Sequence, residues 1–307
     1  MRRLLLLALA SALVAGCDDA PGGDEVTVAL DFQPNAAHAA IYAADGLEVR
    51  VPSSSTDSLK LLAAERADLA VVDIHDLGLA RERGRDVVAV GALVQRPLAA
   101  VIARAGVRRP RELEGRRVGV TGLPSDEAVL RAVVEGDGGD FERVRRVTIG
   151  FSAVASLIAG RVDAVVSFWN VEGVALRERG ADTREFRLER YGAPRYPELV
   201  LATERRNLTR IGEELSGALA RLVTGTRTAL ADRDATVAEL AEASGADEAL
   251  VSAQLEAIAP ALRPAVRLRR RSLENWASFA ARFGILGRRP EVDELFYPPG
   301  RWPARSP

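Results

Sequence analysis

Two short stretches of the sequence combine aromatic rings with side chains that donate or accept hydrogen bonds. Phe32 and Tyr42 accompany acids and amides in the first stretch, and Trp169 lies beside Asn170 and Glu172 in the second. A flat heteroaromatic ligand needs a ring to stack on and a few fixed groups that hydrogen-bond its nitrogen atoms. These residue types could therefore form a binding site for such a ligand. The residues predicted to contact it are Asp31, Phe32, Asn35, His38, Tyr42, Asp73, Ser125, Trp169, Asn170, Glu172 and Tyr191.

Several of these residues also have a structural interpretation. Asp31 could cap the helix that follows it instead of binding a ligand. Trp169 could pack between two halves of the chain. Ser125 is predicted as the N-cap of a helix whose free N–H groups could accept an anion, although a plain capped helix is the simpler interpretation. Tyr191 lies near a predicted crossover and could close over a bound molecule.

The sequence does not favour catalysis or metal binding. His38 and His75 are the two histidines of the chain. Their spacing from the nearby acids matches no recognisable metal-ligand pattern. No Ser-His-Asp arrangement can be argued from the residue order, and two histidines leave few general bases. We therefore predict no metal, no cofactor and no covalent chemistry.

Short apolar strands alternate with short helices along the first two thirds of the chain, which is typical of βαβ units whose sheets are covered on both faces. The pattern occurs twice, so the sequence predicts an α/β fold with two lobes, parallel-rich sheets and a helical C-terminal region. Helices are predicted at 213–231 and 247–258 within that region. The predicted units are a signal peptide (1–16), a tether (17–25), lobe 1 (26–95 with 200–297), lobe 2 (96–199) and a tail (298–307).

Two crossovers, at 95–97 and 196–198, are predicted to join the lobes and to leave a cleft between them. Ligands of open α/β sheets bind beyond the carboxyl ends of the strands. Contact residues are therefore expected directly after strands, as at Asp31, Asp73 and Trp169.

Cys17 is the single cysteine of the chain, and it follows an N-terminal secretory pattern. Two arginines precede an apolar run over 4–15, and small residues precede the cysteine, as in a signal peptide. Residues 13–17 resemble a lipobox, which implies cleavage before Cys17 and lipidation of its thiol. The predicted location is the extracytoplasmic face of the cell membrane, held by this lipid anchor. An ordinary signal peptide cut nearby is the alternative.

The composition limits the possible partners. The chain has 307 residues, a formal net charge of −1 and 48% hydrophobic residues. That charge gives no electrostatic case for nucleic acid, and the apolar content is sufficient for a folded core. A monomer that binds a small molecule is expected.

The stretch after the first strand resembles a family signature. Residues 30–38 read Leu-Asp-Phe-Gln-Pro-Asn-Ala-Ala-His, which is similar to the Leu-Asp-Trp-x-Pro-Asn-x-x-His signature of the NMT1/THI5-like (SsuA/THI5-like) proteins. The Asp-Gly-Gly-Asp-Phe run at 137–141 and the Gly-Arg-Val-Asp run at 160–163 also resemble that family. The order of the elements is similar over most of the mature chain.

The resemblance implies a type II periplasmic-binding-protein-like fold and the function of an extracytoplasmic solute-binding component of an ABC importer. Bacterial members with signal peptides capture a small ligand between the lobes and deliver it to a permease with its ATPase. The best-known ligands are pyrimidine precursors of thiamine, such as hydroxymethylpyrimidine and its formylamino relative, so a heteroaromatic pyrimidine is the favoured ligand. A thiamine pyrimidine synthase-like enzyme, and a binding protein for sulfonate or another small anion, are the alternatives.

The chain departs from both branches of the family. The synthase branch has a cysteine-rich segment associated with iron, and no cysteine follows Cys17 here. Val72 stands near the position of the synthase lysine that holds pyridoxal phosphate, and Asp76 stands near the synthase histidine that is consumed as substrate. These departures argue against a synthase. The pyrimidine-binding branch places an acid and a Trp in a Phe-Glu-Gly-Trp-like order, whereas residues 168–173 here read Phe-Trp-Asn-Val-Glu-Gly.

Overall fold

The computed structural model describes residues 25–53, 57–298 and 300. Cys17 and the predicted signal peptide lie outside the described residues. The strands are β1 Val26–Ala29, β2 Leu47–Arg50, β3 Leu69–Asp73, β4 Val87–Ala92, β5 Ala99–Arg104, β6 Arg117–Val120, β7 Arg145–Thr148, β8 Ala164–Phe168, β9 Thr183–Arg187 and β10 Leu199–Glu204. The α-helices are α1 Ala39–Tyr42, α2 Asp57–Ala63, α3 Ile74–Glu82, α4 Pro124–Gly136, α5 Ala153–Ile158, α6 Glu172–Glu178, α7 Asn207–Arg210, α8 Gly212–Ala231, α9 Arg233–Ser244, α10 Glu248–Ile258, α11 Arg270–Arg282 and α12 Val292–Leu295.

The strands form two five-stranded sheets, one in each lobe. The order is β2-β1-β3-β10-β4 in lobe 1 and β7-β6-β8-β5-β9 in lobe 2. Central strands such as β3 and β10 are short, mainly apolar runs that are buried along nearly their whole length, as expected for strands covered by helices on both faces. The predicted two-lobe α/β fold is confirmed.

Both sheets are mixed, and the geometry of the crossovers explains why. The chain leaves the carboxyl end of β4 and enters β5 through the first crossover, and it passes from β9 through the short 3₁₀ helix Leu188–Arg190 and the second crossover into β10. A strand that starts at the cleft runs opposite to its neighbours, whose carboxyl ends face the cleft. Accordingly β5 pairs antiparallel with β8 and β9, and β10 pairs antiparallel with β3 and β4.

Strand β9 has no apolar run that would predict it. Its sequence is Thr-Arg-Glu-Phe-Arg, and Phe186 is its one buried residue. Because β9 lies at the edge of its sheet, one face and one edge remain open to solvent, where charged side chains are tolerated and discourage pairing with other chains.

The C-terminal helices pack mainly on lobe 1, where the longest one, α8, lies against α1. Gly225 is the point of closest approach, since a Cβ atom there would collide with the carbonyl oxygen of Ala40 and lie 2.9 Å from the Cβ of Ala44. The absence of a side chain at Gly225 allows this contact. Helix α8 thereby holds α1 and the segment that precedes it.

None of the helices in the described part of the chain is both long enough and apolar enough to span a bilayer.

Candidate functional site

A cavity of about 400 Å³ lies between the two sheets. Its walls come mainly from residues at or after the ends of β1, β3, β6, β7 and β8 and from the two crossovers that enter β5 and β10, with further residues from α2, from α3 and from the segment after α3. The cavity thus lies at the carboxyl ends of strands from both lobes, which is the expected position for a ligand in an open α/β sheet. Seven of the predicted contact residues line it: Asp31, Phe32, Asn35, Asp73, Ser125, Asn170 and Glu172.

The other four predicted residues are not part of the lining. His38 lies behind it and is fully buried. Tyr42 packs against the C-terminal helices, where burial and then the charge of Glu239 raise the pKa of its hydroxyl. Tyr191 packs edge-on against Phe186, with ring centroids 6.1 Å apart.

Trp169 is buried beside the cavity and its ring is already covered. Its Nε1–H donates to the carbonyl oxygen of Pro97 at 3.0 Å, and the guanidinium carbon of Arg187 lies 4.1 Å from the ring centroid. The side chain therefore holds the end of β8 to the first crossover, and a cation occupies the face that a ligand ring would need.

His38 positions Asp31 at the cavity wall. The backbone N–H of Asn35 donates to His38 Nδ1 at 3.3 Å, and His38 Nε2 lies 2.8 Å from Asp31 Oδ1. Because Nδ1 accepts a hydrogen bond, the ring proton is on Nε2 and is donated to the carboxylate. The side chain of Asn35 caps the following short 3₁₀ helix through the N–H of Ala37. This segment is rigid before any ligand arrives.

The N-cap of helix α4 lies two residues before the predicted one, so Ser125 is not the cap. Leu123 is the cap residue, Pro124 is the first helical residue, and Ser125 lies within the first turn, because proline is well suited to the first helical position. The carboxylate of Asp126, through Oδ2, accepts from the N–H groups of Thr121, Gly122 and Leu123 at 2.7, 3.1 and 3.3 Å. The protein's own acid therefore occupies the donors that an anion would use at this loop.

The amide of Asn170 lacks a partner on both of its polar atoms. The side chain is fully buried and lines the cavity, and neither Oδ1 nor Nδ2 has a hydrogen-bond partner among the described residues. The loop around it is held in place, since the Phe168 N–H donates to Glu172 Oε2 at 3.1 Å. Buried amides are nearly always hydrogen-bonded, so a ligand is the expected partner.

Carboxyl groups dominate the polar part of the lining. Burial is the largest cause of the raised pKa in five of them, which are Asp73, Asp76, Asp126, Glu172 and Glu198. The pKa is about 6 for Asp76 and about 8 for Glu198. The charges of Glu198 and Asp76 raise that of Asp73 further. The cavity therefore favours cations and hydrogen-bond donors over anions. The six acids of the lining are Asp31, Asp73, Asp76, Asp126, Glu172 and Glu198, against the three bases Lys60, Arg83 and Arg85.

The second crossover contributes residues that the sequence did not single out as contacts. Glu198 is 1% exposed and lines the cavity. Behind it, His75 Nε2 lies 3.1 Å from the hydroxyl of Tyr196, and Trp276 Nε1–H donates to His75 Nδ1 at 3.0 Å. Burial lowers the pKa of His75 to about 3, so the ring is neutral. An acid within the second crossover, directly before the apolar run of β10, is the sequence signal that could have identified Glu198.

Aromatic rings from the two lobes meet at the cavity. Phe32, which follows β1, and Phe151, which follows β7, have ring centroids 5.1 Å apart. Both line the cavity, as does Phe168 at the end of β8. Phe151 lies in a loop without an alternating or helical pattern, so the sequence offered no reason to select it. In the described part of the chain, no three His, Cys, Asp or Glu side chains are arranged to hold a metal ion.

Glu198 should make stability depend on pH. Its pKa is about 8 in the folded chain against an ordinary value of 4.5, so between these values the folded state holds a proton that the unfolded state releases. The resulting stabilisation is complete below pH 4.5 and is lost as the pH rises through 8. From pH 5 to pH 9 we expect the wild type to lose about 4 kcal/mol more stability than Glu198→Gln. Urea unfolding of both proteins at several pH values measures this difference, and parallel curves would contradict it.

The fold and the cavity define a class of protein. The structure aligns with the alkanesulfonate-binding protein SsuA from Xanthomonas axonopodis pv. citri bound to MOPS, with a TM-score of 0.71 and 19% identity over 90% of this chain and 98% of that one. At this identity the likeness shows the fold, which is that of a two-lobe solute-binding protein. Residues 36–236 match the sequence model of the family described as NMT1/THI5 like, and the chain belongs to that family.

The names of two similar proteins describe different functions, one a binding protein and the other an enzyme. The formylaminopyrimidine-binding protein of Halalkalibacterium halodurans is 35% identical over 232 residues, which are 70% of this chain and 70% of that protein. The 4-amino-5-hydroxymethyl-2-methylpyrimidine phosphate synthase of Uromyces fabae is 27% identical over 173 residues, which are 50% of this chain and 49% of that protein.

Proposed function

We propose that this chain is the extracytoplasmic solute-binding component of an ABC importer and that it captures a pyrimidine precursor of thiamine between its lobes. The lobes comprise 26–95 with 200–297 and 96–199, and they deliver the ligand to a permease with its ATPase. A lipid on Cys17 anchors the protein to the cell membrane. The more similar of the two relatives described above, a formylaminopyrimidine-binding protein, supports this choice of ligand.

The unpartnered amide of Asn170 is the observation that carries the proposal. An aminopyrimidine presents an amino group beside a ring nitrogen, that is, a donor next to an acceptor. The amide presents the complementary pair, since its oxygen accepts from the amino group and its NH₂ donates to the ring nitrogen. Binding then satisfies both polar atoms of a fully buried side chain.

The rings of the cavity suit a flat ligand. Phe32 and Phe168 line it from opposite lobes and offer apolar faces. An aromatic ligand that stacks on such a face gains dispersion and quadrupole interactions beyond its buried area. The acids around it accept from exocyclic N–H groups.

The electrostatics of the cavity argue against the anion alternative. Burial disfavours a negative charge in the cavity, as the raised pKa values of Asp73 and Glu172 show, and Asp126 already occupies the N–H groups at the start of α4. Burial of an anion costs desolvation free energy, and the N–H donors that usually offset this cost are already occupied.

Binding without covalent chemistry is proposed over synthesis. Val72 lies in the cavity wall, near the position where the resemblance places the synthase lysine, and its side chain cannot form an imine. The acids of the cavity then serve recognition and not catalysis.

Thermal unfolding of the purified chain with candidate ligands tests the proposal. A ligand that binds only the folded state at 100 times its Kd stabilises it by about 2.7 kcal/mol, which corresponds to a Tm increase of about 5 °C or more for a chain of this size. We expect this increase with 4-amino-5-hydroxymethyl-2-methylpyrimidine or its formylamino relative and none with an alkanesulfonate. An increase with the sulfonate alone would favour the anion alternative. Formation of a pyrimidine from pyridoxal phosphate and iron would favour the synthase.

A further inference from the structure

Glu198 is the acid of the cavity whose surroundings are least complete. It is the last residue before β10, its side chain is 1% exposed, and it lines the cavity. Among the six acids of the lining, it alone has a buried carboxyl oxygen, Oε2, without a hydrogen-bond partner in the described part of the chain. A buried carboxyl oxygen without a partner is costly, and the cost is removed when a ligand supplies one.

The rest of the residue is fixed in place. The carbonyl oxygen of Glu198 accepts from the N–H of Ile74 at 2.9 Å. The N–H groups of Leu98 and Ala99 lie beside its carboxyl group and oppose the rise of its pKa. The side chain thus reaches from the second crossover to the first, and a contact made there acts at both connections between the lobes.

We propose that Glu198 is a specificity-determining residue that hydrogen-bonds a basic ring nitrogen of the ligand. The inference rests on the proposed function, and it adds to Asn170 a second residue that recognises the ligand by hydrogen bonding. In a 4-aminopyrimidine, the amino group donates electron density to the ring nitrogen para to it and makes that nitrogen the better acceptor. Asn170 contacts the amino group and the nitrogen next to it, and Glu198 contacts the para nitrogen.

A carboxylic acid that keeps its proton suits this role. Because burial raises the pKa of Glu198 to about 8, the group is a neutral donor at pH 7. A neutral O–H donates to a ring nitrogen, or it passes the proton to a sufficiently basic ring and becomes its counter-ion. In both cases the ligand must carry a nitrogen at that position.

Titration calorimetry with two ligands and three proteins tests the assignment. The ligands are 4-amino-5-hydroxymethyl-2-methylpyrimidine and 2-amino-3-hydroxymethyl-6-methylpyridine, in which carbon replaces the para nitrogen and all other groups are kept. The proteins are the wild type, Glu198→Leu, which keeps most of the volume, and Glu256→Gln, which makes the change from carboxyl to amide on the exposed face of α10. Glu198→Ala is the second variant if the leucine side chain does not pack.

The wild type and Glu256→Gln are expected to bind the pyrimidine at least about tenfold more tightly than the pyridine, because the pyridine leaves the carboxyl unpaired. Glu198→Leu should lose about tenfold or more in pyrimidine affinity and change little toward the pyridine. Equal losses for both ligands would show a structural role and overturn the inference, as would unchanged pyrimidine affinity. If the wild type binds neither ligand, the proposed function fails as well, whereas failure of the inference alone leaves tight pyrimidine binding intact.

Discussion

Asn170→Leu is expected to weaken the binding of 4-amino-5-hydroxymethyl-2-methylpyrimidine about 100-fold, because it removes a donor and an acceptor and leaves two polar atoms of the ligand buried without partners. Leucine has the branched shape of asparagine, with two methyl groups in place of the amide oxygen and NH₂. The amide makes no hydrogen bond within the described part of the chain, and the unliganded protein should therefore keep its Tm. Calorimetric titration measures the affinity, and thermal unfolding checks the fold.

Tyr42→Phe is the control for this prediction. Tyr42 lies outside the cavity lining, against the C-terminal helices, so loss of its hydroxyl should leave the affinity unchanged within about twofold, an effect below about 0.5 kcal/mol. An Asn170→Leu protein that is folded and binds the pyrimidine as tightly as the wild type would show that the amide does not hydrogen-bond the ligand.

Gly225→Ala is expected to destabilise the fold by about 2–3 kcal/mol, as overpacking of a closely packed site does. The new Cβ would collide with the carbonyl oxygen of Ala40 and lie 2.9 Å from the Cβ of Ala44. Atoms of α1 and of Ala44 would have to move, because the nearest atoms are the carbonyl oxygen of Ala40 and the N and Cβ of Ala44, none of which is the end of a flexible side chain. Chemical unfolding followed by circular dichroism measures the loss.

Gly217→Ala on the same helix provides a matched comparison. A Cβ there would meet only the end of the Arg221 side chain, at 3.4 Å, and alanine is the better helix former by about 1 kcal/mol. This variant should equal or exceed the wild type in stability. If both glycine variants had the same stability, close contact between α1 and α8 would not be the reason for glycine at 225.

Hydrophobic periodicity was sufficient to predict most of the fold. The helices predicted at 213–231 and 247–258 correspond to α8 and α10, because their apolar residues repeat at helical spacing and face the core. Strand β9 and the antiparallel pairs were not predictable in this way. They follow from where the chain crosses between lobes and from an edge position that needs no apolar run, and neither is a local property.

The candidate site was predictable where its residues follow strands directly. Asp31, Asp73 and Asn170 are of this kind, and all three line the cavity. Glu198 and Phe151 come from a crossover and from a loop, whose positions depend on packing between distant segments. The indole ring of Trp169 is a suitable surface for stacking. Its contacts with Pro97 and Arg187 arise only in the folded chain, so the sequence did not show that the ring is covered.

The contact between Phe32 and Phe151 has a kinetic consequence. These rings come from different lobes and touch at the cavity that lies between them. A solute that passes between these two rings can do so only while they are apart. Widening this route acts on entry and exit alike, so Phe151→Ala should accelerate association and dissociation together while the equilibrium constant changes less than either rate.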